Sequence, residues 1–159
     1  MDFDLLPLFQ WFYATSLGET IRNSSWLFPI FEAVHLLALG IVAGAVMVVD
    51  FRLLGMLLNK QPVAVLADDA RPYLLGAVLV MFATGIPLFL SEAIKCLYSF
   101  AFWIKMASLF LVLIWVFTVR SRVTHADIAK EPALAKATAV VSLLLWFGVA
   151  WGGRWIGFS

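Results

Sequence analysis

The sequence predicts an all-α membrane protein: an antiparallel bundle of four transmembrane helices preceded by an interfacial amphipathic helix. Composition is the first of three observations behind this. Across 159 residues, 64% are hydrophobic and 13% charged, with mean hydropathy +0.98, whereas soluble domains average about 25% charged residues. The second is spacing: four apolar stretches are each long enough to cross roughly 30 Å of hydrocarbon at about 1.5 Å per helical residue. The third is that the connections between them are short, which sets neighbouring helices antiparallel.

The chain divides into an amphipathic segment, 1–25, and a transmembrane domain, 26–159, with spans at about 27–58, 73–90, 100–119 and 133–155. In the first segment Leu5, Leu6, Leu8, Phe9, Phe12, Tyr13, Leu17 and Ile21 recur at helical spacing, with Asp4 as a cap. Asn23-Ser24-Ser25 breaks that helix and Ser25 is placed to cap the first span, whose Pro29 falls where a missing N–H is harmless. Lys60-Gln61-Pro62 and Asp68-Asp69-Ala70-Arg71-Pro72 bracket residues 63–67, a loop helix at most. The second span carries Gly85-Ile86-Pro87, where the proline is expected to kink the helix. The third has Lys105 in its first two turns and exits at Arg120 and Arg122, and Pro132 opens the fourth.

Other classes are excluded. Net charge is +1 with scattered basic residues, so nothing marks a nucleic-acid surface. A single cysteine, Cys96, rules out an internal disulfide. No nucleophile–histidine–carboxylate set, phosphate-binding glycine loop or cysteine cluster is present, and no basic n-region precedes the first apolar run. Lysines and arginines gather on the side of the first and third loops, through Arg52, Lys60, Arg71, Arg120, Arg122, Lys130 and Lys136. By the positive-inside rule both termini face outward, the periplasm if the membrane is a bacterial inner membrane. Trp11, Trp26, Trp103, Trp151 and Trp155 collect on that same outer side.

At about 100° per residue Glu32, His35, Leu39, Ala43, Val46 and Asp50 share one face of the first span, and Arg52 points away. Ionisable groups at membrane depth turn inward to a partner or cavity. Glu32, His35, Glu92, Lys105 and Arg154 all fall in the outer third of the bundle and are expected to meet there. Two readings compete. One is a charge-balanced network, with Lys105 neutralised by Glu32 or Glu92 and His35 bonded to a backbone carbonyl; the other is a binding pocket. Asp50 is expected to pair inside the bundle and Arg52 to snorkel to lipid head groups. Glu32-x-x-His35 supplies half of a di-iron ligand pattern, and the chain has no second half. Gly40-x-x-x-Gly44 is expected to pack a neighbouring helix of the same chain, and His125 to be a solvated loop histidine.

Phe28-Pro29-x-x-Glu32-x-x-His35-Leu36-Leu37, with Gly44, Asp50-x-Arg52-Leu53-Leu54-Gly55 and Phe102-Trp103-Ile104-Lys105, resembles an uncharacterised bacterial family of four-span membrane proteins. A more distant similarity, a histidine early in one helix and a lysine early in the helix two further on, links it to the HemJ type of protoporphyrinogen oxidase and to the copper-resistance protein D family. The first likeness implies haem b on His35, Lys105 near the iron or a propionate, and Arg52 as the arginine at the first helix end. Glu32 and Asp50 have no counterpart in that pattern. The second implies copper, with His35 as a ligand and Met47, Met56, Met81 and Met106 as the methionines to consider.

The leading expectation is therefore a small bacterial inner-membrane protein whose outward-facing pocket binds a redox cofactor, haem b, through His35, with Glu32 setting the imidazole tautomer. Alternatives are a non-enzymatic accessory or assembly subunit of a larger membrane complex or homodimer, and copper, other metal or proton handling.

Overall fold

The computed structural model describes residues 5–58, 60–126 and 131–157. Its elements are α1 (Leu6–Tyr13), α2 (Ser16–Asn23), α3 (Leu27–Leu53), α4 (Val63–Ser91), α5 (Ala93–Tyr98), α6 (Phe100–Trp115), a π-helical turn (Val116–Arg120), α7 (Ser121–Thr124) and α8 (Pro132–Ile156). Four helices, α3, α4, α6 continued to Thr124, and α8, are long and apolar enough to cross a membrane. The protein is an all-α, multi-pass four-helix bundle.

Its two helical hairpins differ in how they touch. Helix α3 lies along α4 and α6 along α8, the hairpins join through α3 and α8, and α4 and α6 approach each other far less closely. The α6–α8 seam is tight because α8 carries Gly148 and Gly152. A Cβ at Gly152 would stand 2.7 Å from the Ala101 carbonyl oxygen, and one at Gly148 2.5 Å from the Ser108 hydroxyl. Small residues four apart let transmembrane backbones approach in this way. Ala38, Val42, Val46, Met81, Val112, Val116, Trp146 and Val149 fill the middle.

Several expectations are corrected. The amphipathic segment is two helices, because Thr15 ends α1 and starts α2, its hydroxyl accepting from the Gly18 N–H; Asp4 lies outside the described residues. Ser25 does not cap the first span: its N-cap is Trp26, without a side-chain cap, and the Ser24 hydroxyl just before it accepts from the N–H groups of Trp26 and Leu27. That span stops at Leu53 instead of running to 58. Gly55 takes φ +77, Met56 N–H reaches the Phe51 carbonyl at 2.9 Å and Gly55 N–H the Arg52 carbonyl at 3.0 Å, the paired bonds of a Schellman ending.

The second helix begins ten residues early. Pro62 is extended at its N-cap, and Asp68 and Asp69 fall in the second turn, on the exposed side of the helix. Residues 63–72 are thus helix and not loop, and α4 continues through both Pro72 and Pro87. Gly40 and Gly44 do not pack a neighbour: a Cβ at either would meet nothing within 4 Å.

Candidate functional site

His35 sits in the third turn of α3, on the centre of the stripe that continues through buried Ala38, Val42, Val46, Val49 and Leu53. Its ring lies over α4 where Gly85 has no side chain; a Cβ there would be 3.1 Å from His35 Cε1. Imidazole Nδ1 is 2.8 Å from the Thr84 hydroxyl. That hydroxyl has one proton, which it donates to the Val80 carbonyl at 2.7 Å. It must therefore accept from Nδ1–H. The ring also lies near the Met81 backbone carbonyl. The neutral imidazole thus carries its proton on Nδ1 and keeps a lone pair on Nε2.

Lys105 lies in the second turn of α6, its stem against Gly152 and its Nζ 3.7 Å from where a Cβ of Gly153 would stand. It makes no hydrogen bond or ion pair among the described residues, yet its charge acts on both His35 and Cys96. The Cys96 thiol, in α5, is pushed up to about 11, chiefly by burial, and is no nucleophile at neutral pH.

The remaining residues separate. Glu32 is exposed and has no polar partner among the described residues, so Thr84, and not Glu32, orients the imidazole. Glu92 is half-buried at the α4–α5 junction, near Cys96. Arg154 is exposed in the last turn of α8. Arg52 lies seventeen residues after His35, about 25 Å along the helix, where its Nε donates to the Gln61 carbonyl at 2.8 Å. It is not part of the His35 group. Among the described residues no three His, Cys, Asp or Glu side chains converge as a metal set, and Met47, Met56 and Met106 are exposed while Met81 is buried in the core.

Asp50 belongs to a different cluster at the far end of the bundle. It is fully buried, and Oδ1 accepts from Arg120 Nε at 2.7 Å. Arg120 Nη2 donates to the Val46 carbonyl at 3.3 Å. Sequence reasoning placed Asp50 inside but read Arg120 as the exit of the third span. The π-helical turn that ends on Arg120 carries no sequence signature, although a buried carboxylate in α3 implies some basic partner at its depth. Ser142 on α8 faces Asp50. His125 is exposed, as expected of a solvated histidine, with Nε2 3.3 Å from Asp68 Oδ1.

The N-terminal helices close over the His35 end. Phe9 packs edge-on to Phe89 at 5.6 Å and Phe89 stacks on Phe102. Arg22 lies 3.6 Å over the Tyr13 ring and donates to the Leu90 and Ser91 carbonyls that end α4.

A family model described as a family of unknown function, DUF6644, matches residues 8–159. The chain belongs to this family. The match takes in most of α1, all of α2 and all four spans, so the helices that close the His35 end fall within it. No curated protein and no solved structure matches the chain.

Proposed function

We propose that this protein is a small bacterial inner-membrane cofactor-binding protein that holds haem b through His35 Nε2, with the Lys105 ammonium as partner of a propionate. The reading rests on one observation: the Thr84 hydroxyl, committed to the Val80 carbonyl, fixes the imidazole proton on Nδ1 and leaves Nε2 as a donor atom. Haem-ligating imidazoles are oriented by such a bond to the other ring nitrogen. The donor set fits the group: one neutral imidazole, one cation without a carboxylate partner among the described residues, and a loosely packed α4–α6 side. When bound, the haem would supply one-electron chemistry; the chain's own part is to orient the ring, hold the carboxylate and keep water away.

The test is the absorption spectrum of purified protein with and without added haemin. A Soret band that is lost in His35→Ala and weakened in Lys105→Met is the expected result. No band in the wild-type protein under either condition would overturn the reading. The lysine and arginine asymmetry supports a topology with both termini on the periplasmic side. Labelling of cysteines introduced at Gln61 and Gly157 tests this, and labelling of Gln61→Cys from outside would reverse the topology.

A second reading, an accessory subunit of a membrane complex, is favoured by the outward face of α3. Gly40 and Gly44 have nothing beside them, and Leu36, Leu37 and Ile41 are more than half exposed. Cross-linking from Gly44→Cys in native membranes tests it; only lipid contact there would reject it.

A further inference from the structure

The Asp50 cluster has no part in the haem reading, and its hydrogen bonding is incomplete. Asp50 Oδ2 and the Ser142 hydroxyl, both buried, have no hydrogen-bond partner among the described residues, and neither has Trp146 Nε1 one turn along α8. An ion pair built only for stability would use the forked guanidinium on both carboxylate oxygens. Arg120 instead divides its donors between Oδ1 and the Val46 carbonyl, leaving Oδ2 open toward Ser142.

That division lets the site exist in two states. Ionised, Oδ2 can accept from the Ser142 hydroxyl; protonated, Oδ2 can donate to it, since a hydroxyl does both. Arg120 keeps its Val46 carbonyl in either case. We propose that Asp50 is a proton-binding site: a proton delivered by water forms an O–H bond on Oδ2 facing Ser142, and leaves to water by the same route, with nothing oxidised or reduced. Asp50 lies one turn from the end of α3, and the layer between it and that end includes the small side chains of Ala67, Ala70, Ala135 and Ala139 among larger ones, a thin barrier to water.

The charged groups around it are few. Arg120 comes from the π-helical turn. Helix α8 presents Ser142 and Thr138, while its Lys136 is exposed, as are Asp68, Asp69 and Arg71 of α4 and Arg122 of α7; on α3 itself Arg52 is half-buried and bonded to the Gln61 carbonyl.

The test is infrared difference spectroscopy of the full-length protein in liposomes, stepped from alkaline to acidic pH in H2O and D2O. A carboxyl band should appear on acidification, move on deuteration and be lost in Asp50→Asn. The same band in wild type and Asp50→Asn, or none in wild type, overturns the proposal. Should Asp50→Asn fail to fold, Ser142→Ala retains the carboxylate. It should move the midpoint of the band by about one pH unit, the difference between a hydrogen bond to a charged group and one to a neutral group, and an unmoved midpoint overturns the proposal equally.

Discussion

His35 Nδ1 and the Thr84 hydroxyl, 2.8 Å apart, join α3 to α4 by a polar contact inside an otherwise apolar seam. Replacing Thr84 with valine keeps the shape and removes the acceptor. The ring proton then has no hydroxyl to meet, which should cost about 1–3 kcal/mol in thermal or denaturant unfolding in detergent. Haem affinity, measured by haemin titration, should fall about 10- to 100-fold, and Thr84→Ser should restore both.

Asp50 and Arg120 should behave as a pair. Removing the carboxylate leaves a buried guanidinium that cannot shed its charge, so Asp50→Leu alone should destabilise the fold by about 3–5 kcal/mol. The double variant Asp50→Leu/Arg120→Met should lie close to wild type, because two desolvated charges vanish together. A double-mutant cycle at neutral pH measures the difference, and additive single effects would show that the pair is not coupled.

Glycines in this chain should not respond alike. Gly152→Ala drives a methyl toward a backbone oxygen that cannot swing aside, and should cost about 1–3 kcal/mol by overpacking. Gly148→Ala meets a serine hydroxyl that can rotate, and should cost less. Gly44→Ala has open space and should be neutral or slightly stabilising in detergent, through helix propensity. Melting temperatures of the three variants check the order.

The exposed His125 is raised above its ordinary value, first by the Ser121 carbonyl and then by Asp68. A group whose folded value is raised adds stability below its unfolded value, and that stability is lost as pH rises through the folded one. The small contribution of this contact should therefore be present in mild acid and disappear toward alkaline pH. Following the His125 ring protons by NMR should give a midpoint above 6.5, and Asp68→Asn should lower it.

Hydropathy and spacing made the four spans legible, because a bilayer demands long apolar helices whatever their packing. Their ends were harder. Residues 63–72 read as a loop because Pro62 and Pro72 bracket them and two aspartates fall between, yet Pro62 suits the position just before a helix. Gly55 carried the stop signal for α3 in plain view. His35 and Lys105 were legible as intramembrane ionisable groups; Thr84 was not, because a threonine that bonds its own helix backbone looks like any other. Arg120 was hidden by its position near a span end, where arginines ordinarily face head groups. The angular reading of α3 put Glu32 and His35 on one face, but the buried stripe is centred on His35, and Glu32 falls at its edge.

Arg22 binds α2 to carbonyls at the far end of α4, and Gly18, lacking a side chain, lets α2 lie close against them. Those carbonyls belong to residues made some seventy positions later in synthesis. Helix α2, which leaves the ribosome before the second span, must therefore wait, undocked, until that span has crossed the bilayer. In a membrane-insertion assay, nascent chains halted before Leu90 should leave α1 and α2 open to protease, and longer ones should shield them.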